Sequence, residues 1–373
     1  MTSRIEYLTE QVLYDNPIPH VRSRHGFFPT LIQLPSGELL AMVAIGEAFE
    51  SPDMTTYVLR SADRGESWQL QGPVYDKSVD SAPTSDYLKP QRLDNGSLIA
   101  LGYRFDRDDP EQSISVVETG GILPGDDIVS FSNDEGRTWT VPRVVPRSTP
   151  ELLEIPNNPI LLRSGDLVAS AGLFKMEDGS NPSSQFGVIV RSTDNGETWD
   201  DKSHFFESPG RSICAYESGI CQMDDGRLVS ICWAFEINAG KDHSNQVTVS
   251  HDDGHHWSTP IDTGHKAQSV NLISLAGNRL MSIHCHRGEE VGLVVRLVDF
   301  SNDQWNVITE QTIWGADIGQ QVRDGQEFHE MMARIRFGNP SLLQLDNGEI
   351  LAVHWAVVNG QGRILSHRLR VVD

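Results

Sequence analysis

Apolar and polar positions along the chain fall into a unit that recurs six times: an apolar run, a turn built on glycine or a close substitute, and a second apolar run. It occupies residues 30–45, 91–103, 160–174, 219–235, 271–285 and 341–357. Runs of this length broken by a glycine turn predict β-hairpins. After each of the first four hairpins comes a second, shorter signature: SADRGESW at 61–68, SNDEGRTW at 132–139, STDNGETW at 192–199 and SHDDGHHW at 250–257. Its glycine suits a positive φ, its aspartate can accept backbone N–H groups of the same turn, and its tryptophan can cover a seam. The signature therefore predicts a tight turn between a third and a fourth strand. Each box offers only one or two carboxylates, too few for a calcium shell of 6–8 oxygens.

Spacing ties the two signatures together. From hairpin glycine to box aspartate the separation is 26 residues for Gly37 and Asp63, 29 for Gly165 and Asp194, and 26 for Gly226 and Asp252. Adding 26 to Gly277 reaches Asp303 in SNDQW, a box that keeps Trp305 and has lost its glycine. The second unit is longer, with 38 residues between Gly96 and Asp134, and so carries an insertion between Tyr103 and Asp127. Long loops inside a compact repeat are usually functional. The sixth unit ends after a third strand, and the strand-like segment 5–13 precedes the first hairpin. The expectation is that this N-terminal strand closes a ring by completing the sixth sheet.

The box resembles the Asp-box of the sialidase-like β-propellers. That resemblance implies an all-β fold: a six-bladed β-propeller of four-stranded antiparallel sheets, formed as one domain over residues 1–373. It does not name a substrate.

Charge narrows the partners. Lys+Arg 30 against Asp+Glu 52 gives a net charge of −22, which repels phosphate backbones and anionic membranes. Neither nucleic acid nor membrane is an expected partner. The first residues, MTSRIEYLTEQVLYDNP, contain no apolar signal core, and no run of 18 apolar residues follows, so a cytoplasmic location is expected. Cys214, Cys221, Cys232 and Cys285 lack CxxC spacing and sit in or beside apolar runs, which predicts buried free thiols. No cofactor is predicted, and the oligomeric state stays open.

In an up-and-down blade, hairpin turns and boxes share one rim. The other rim gathers the segments leading into first strands and the loops between second and third strands. Those stretches carry the cations Arg22, Arg24, His25, Lys89, Arg104, His284, His286 and Arg336, and the acids Asp53, Glu154 and Glu217. By resemblance, Glu217 in AYESGICQMDDGRL matches the glutamate that assists the sialidase nucleophile. Asp53 lies in the loop that carries the family's acid/base aspartate. Glu154 in LLEIPNNPI is placed like a carboxylate of the similarly folded exo-arabinanases. Asp53 and Glu217 form the leading catalytic pair, with Glu154 the substitute for either.

The departures are as informative. Where a sialidase has F-R-I-P, this chain reads Gly26-Phe27-Phe28-Pro29; Trp233 falls near its second carboxylate-binding arginine, and Asn339 near its nucleophilic tyrosine. Arginine grips a carboxylate bidentately, which tryptophan cannot do. Trp233, Trp355 and Phe27 offer faces for stacking on a sugar or for core packing. His284 and His286 alternate on one strand and, with His354, form a candidate metal or acid–base group, or a polar channel lining. The leading expectation is an exo-acting glycoside hydrolase on a small glycan or oligosaccharide, with anionic sugars among the candidate substrates. The alternatives are a uronate-processing lyase with His25 or His284 as base beside Arg22 or Lys89, a glycan-binding propeller without catalysis, and a true sialidase.

Overall fold

A computed structural model describes residues 3–288 and 290–373. The six expected units are six antiparallel sheets arranged as a ring. Blade one consists of His25–Gln33, Leu39–Gly46, Thr55–Ser61 and Gln69–Pro73, counted from the channel outward. Blade two is Thr84–Arg92, Leu98–Asp106, Gly125–Ser132 and Arg143–Val144. In blade three the inner strand is split into Leu153–Glu154 and Ile160–Leu161, followed by Leu167–Leu173, Gly187–Ser192 and Asp200–Phe206. Blade four runs Ile213–Gln222, Leu228–Glu236, Gln246–Ser250 and Ile261–Asp262, and blade five Ser269–Leu275, Arg279–His286, Gly292–Asp299 and Asn306–Trp314.

Blade six holds Phe337–Gln344, Ile350–Val358 and Gln361–Val372, and its outer strand is the N-terminal Arg4–Tyr14. Arg4 lies opposite Val372 and Tyr14 opposite Ile364, so first and last strands pair antiparallel as expected. This removes an open sheet edge at the join.

The second strands are apolar on both faces because each blade packs against two neighbours. Leu39–Gly46 and Leu167–Leu173 are buried at every position, whereas the outer strand Gln69–Pro73 is largely exposed. The boxes are hydrogen-bonded as their residue types require. Ser132 Oγ accepts from Gly136 N–H at 2.8 Å and donates to Asp134 Oδ1 at 2.8 Å. Asp134 also accepts from Thr138 N–H at 2.9 Å and from Thr138 Oγ–H at 2.6 Å. The worn fifth box does without glycine: Asn302 and Asp303 take positive φ of 58° and 55°. Asp303 instead accepts from Arg227 at 2.5 Å, an ion pair to the neighbouring blade. All four cysteines are buried and free.

Two additions sit outside the blade pattern on the rim opposite the boxes. The blade-two insertion folds into a short hairpin, Ser115–Val116 with Gly121–Ile122. The long segment before blade six forms the helix Phe328–Arg334, which packs against that hairpin. Among the described residues, no helix is long and apolar enough to cross a membrane.

Candidate active site

Three inner strands break their ladder at the same height. Register shifts occur between Phe27 and Thr30, Tyr216 and Gly219, and Gly338 and Ser341. At these bulges Phe28, Glu217 and Asn339 hold positive φ of 52°, 42° and 40°. Side chains other than glycine adopt this region at a cost of about 1–3 kcal/mol each. A bulge re-aims a side chain, and all three line a chamber of about 80 Å³ at the mouth of the channel.

The chamber wall is aromatic. Phe28, Phe49, Tyr87, Tyr103, Tyr216 and Trp233 all contribute to it, and the helix and hairpin roof it with Phe328, Met332, Ile335, Ile114 and Ile122. Among the described residues, the only acidic or basic side chains in its lining are three glutamates, Glu50, Glu154 and Glu217. Glu154 Oε2 accepts from the backbone N–H of Glu217 at 2.8 Å, which locks the two acids together across blades three and four. Glu217 Oε1 accepts from Asn339 Nδ2 at 3.1 Å, and Asn339 Oδ1 accepts from Trp355 Nε1 at 3.0 Å. Glu217 Oε2 is sealed from solvent without a hydrogen-bond partner.

The environments of the pair differ. Burial pushes Glu154 well above the usual carboxylate range, and the neighbouring Glu217 charge adds to this; the Glu217 N–H and Lys89 oppose it. Burial raises Glu217 too, yet more groups hold it down: Arg287 first, then Ser269, Asn339 and Lys89. Of the two, Glu154 is the natural holder of a proton. Lys89 lies buried behind the wall, its Nζ donating to Tyr87 O at 2.8 Å and standing 4.6 Å from the centre of the Tyr103 ring. Its own burial brings it down to about 7, against the pull of Glu154, Asp86 and Glu217. Glu50 accepts from Ser113 Oγ–H and, at 3.0 Å, from Ile114 N–H, which ties the blade-one loop to the hairpin. Burial raises it as well.

Glu154, Glu217 and Trp233 are thus brought to one cavity, with Lys89 behind it. Other expected residues lie elsewhere. Asp53 is exposed, and its Oδ1 closes its own turn by accepting from Ser51 Oγ–H at 2.6 Å and Glu47 N–H at 3.0 Å. The blade-one loop delivers Glu50 to the chamber instead. Arg22 stands 3.6 Å from Glu47 and Arg104 2.8 Å from Asp126, both outside the chamber; Arg24 is not part of its lining either.

The three histidines do not meet. His284 is buried between blades four and five, 3.1 Å from Asn245 Oδ1 and 2.9 Å from Ser282 Oγ. His286 follows on that face, 3.2 Å from Arg296. His354 is on the other side of blade five, with its Nε2 3.0 Å from His367 Nε2 and its ring 4.9 Å from Trp314. Alternation along a strand kept the first two together, but inter-blade packing separates the third. Among the described residues, no three His, Cys, Asp or Glu side chains are grouped to hold a metal ion. His25 and Arg336 line a second cleft beside the chamber.

Glu50 and the helix carried weak signals. Phe328, Met331, Met332 and Ile335 follow helical spacing inside the long segment. Nothing in residues 47–53 distinguishes a chamber acid from a turn acid before the turn is built.

Comparison with known proteins places this geometry. The BNR repeat-like domain family matches residues 114–352. A protein of unknown function from Dyadobacter fermentans shares the fold at a TM-score of 0.76 and 16% identity, covering 99% of each chain. The α-L-arabinanase of Penicillium chrysogenum, solved with arabinobiose, gives 0.63 and 15% identity over 99% of this chain and 98% of its own. Trypanosoma rangeli sialidase gives 0.61 and 15% over 93% of this chain and 55% of that one. Comparison with curated proteins gives no match. Ring, boxes and family match agree, and the chain belongs to the BNR repeat-like domain family, with a sialidase-like six-bladed propeller fold.

Proposed function

We propose that the protein is a glycoside hydrolase whose chemistry is carried by Glu154 and Glu217 in the aromatic chamber. The observation that supports this most is the 2.8 Å contact from Glu217 N–H to Glu154 Oε2. It sets the Glu154 carboxyl against the backbone of Glu217, where burial and the Glu217 charge raise Glu154 while Arg287, Ser269, Asn339 and Lys89 favour the ionised form of Glu217, as acid-assisted glycoside cleavage requires of its two carboxyls. Glu154 donates its proton to the leaving oxygen as the C–O bond breaks. Glu217, ionised, faces the electron-poor anomeric carbon, as nucleophile or as base toward water. Lys89 and Arg287 balance the charge from behind. Asn339 holds Glu217 in place; a neutral amide there cannot attack, so the nucleophile falls to the carboxylate or to water.

Aromatic walls favour the apolar faces of an uncharged ring. The chamber is smaller than the roughly 300 Å³ at which ligand pockets begin, so the helix and hairpin roof must shift to admit a sugar. The competing readings draw less support. A sialidase needs guanidinium groups on the substrate carboxylate, and the chamber lining has none among the described residues. A lyase needs a base such as His25 or His284; His284 is buried between blades, and His25 lines the neighbouring cleft, not the chamber that holds Glu154 and Glu217.

The test is a screen of neutral aryl glycosides and oligosaccharides with the wild type, Glu154→Gln and Glu217→Gln. Hydrolysis of a neutral glycoside, lost about 100-fold or more in either variant with the fold intact, is expected for groups acting in the chemical step. Turnover that survives Glu217→Gln overturns the assignment, and binding without turnover would make the protein a glycan-binding propeller.

A further inference from the structure

Beside the chamber, on the same rim, lies a cleft of about 360 Å³. The two cavities share Phe49, Glu50, Met332 and Ile335, so one thin wall stands between them. The cleft is lined by His25, Phe27, Trp355, His329 and Arg336, with Glu47 as the remaining acid. Neither acid neutralises the arginine: Glu47 pairs with Arg22 at 3.6 Å, and Glu50 faces Ser113 and Ile114. Arg336 Nη1 donates to the carbonyls of Ala333 at 3.1 Å and Ile335 at 2.9 Å, at the end of the roof helix. These bonds hold one guanidinium nitrogen and leave Nη2 and Nε with no carboxylate partner among the described residues. His25 Nδ1 accepts from Gly362 N–H at 2.8 Å, so in the neutral ring the proton sits on Nε2, a further donor.

For a sugar chain whose terminal ring occupies the chamber, the cleft across this shared wall is an adjoining space on the same rim. We propose that the outer cleft is the leaving-group subsite and that Arg336, with His25, recognises a carboxylate on the sugar bound there. The substrate class is then an acidic oligosaccharide with a neutral terminal residue: uncharged ring inward on the aromatic walls, uronate outward on the guanidinium. This rests on the reading of the chamber as the site of hydrolysis. A planar guanidinium held at one nitrogen and free at the others suits a carboxylate.

The experiment is calorimetric binding of two disaccharides with the same neutral non-reducing sugar, one with a hexuronate and one with the matching neutral hexose at the reducing end. Glu217→Gln is used so that no turnover occurs, alone and combined with Arg336→Ala or Arg336→Lys. The uronate compound should bind about tenfold more tightly than the neutral one, as expected for one charge-assisted contact. That preference should vanish with Arg336→Ala, return in part with Arg336→Lys and weaken as salt is raised, while the neutral compound changes less than about twofold. Equal affinities, a preference untouched by Arg336→Ala, or no binding of either disaccharide would overturn the subsite. Absence of any preference, in a protein whose wild type hydrolyses neutral glycosides, would sink the subsite and leave the chamber reading standing. A retained preference in a protein that hydrolyses nothing would do the reverse.

Discussion

The two rims of the ring hold their acids in opposite ways. On the box rim, Asp63 and Asp134 are solvent-facing, and the hydroxyl and N–H donors of Ser67 and Thr138 pull each carboxyl down to about 2. At the channel mouth, Glu154 and Glu217 are pushed up by burial, and each is close enough to influence the other. The same functional group is a turn-former where it is fully bonded and wet. It becomes a store for a proton where it is dry and shares its site. The lesson is that frequency in the sequence marks structure, whereas these paired glutamates occur once each.

That contrast can be broken from either side. The largest effect expected is the loss of about 100-fold or more in kcat/KM for Glu154→Gln or Glu217→Gln. Next is stability at the box rim. Asp134→Ala removes the acceptor for Thr138 and Ser132, and should cost about 1 kcal/mol in urea denaturation, the scale of a lost side-chain cap, with kcat/KM unchanged. Because the folded carboxyl is depressed, this contribution is present above the unfolded value near 4 and disappears as pH falls toward about 2.

The mouth has the reverse sign. A carboxyl raised in the folded state weakens folding once pH exceeds the unfolded value, because the unfolded chain then releases its proton more readily. Glu154→Gln should therefore raise Tm at pH 8 and change it little at pH 4, so activity and stability move in opposite directions. A Tm lowered at pH 8 would show that the carboxylate is a structural partner. The smallest effect belongs to Asp53→Asn: the side chain closes an exposed turn, and kcat/KM should change less than about twofold. A 100-fold loss there would bring Asp53 into the chemistry and count against Glu154 and Glu217 as the sole pair.

Much of the ring was legible because its determinants are local and repeated. Glycine turns and box serines specify their own hydrogen bonds, and the unpaired third strand of the sixth unit called for the N-terminal strand. Glu217 and Glu154 were legible as residues leading into or opening inner strands, on the correct rim. Resemblance to the exo-arabinanases made them an alternative pair, but the contact itself rests on the bulge between Tyr216 and Gly219, which re-aims Glu217 and is set by pairing with the next strand. Asp53 was singled out because aspartate matches the family pattern, but the turn at Ser51 consumes its carboxyl. The expected cationic mouth dissolved for a related reason: Arg22 and Arg104 already had acids beside them, and Lys89 is walled off by Tyr87 and Tyr103.

The central claim is that Glu154 keeps a proton at a pH where Glu217 has lost its own. Carbon-13 NMR titration of side-chain-labelled glutamate, in the wild type and in Glu154→Gln, reads this without any substrate. The account predicts one carboxyl resonance titrating well above the others and absent from the Glu154→Gln spectrum, with the Glu217 resonance titrating at lower pH in both proteins, because its neighbour is already uncharged where Glu217 loses its proton. If the resonance lost on substitution titrates among the ordinary surface glutamates, the two acids are not a divided pair and the mechanism fails.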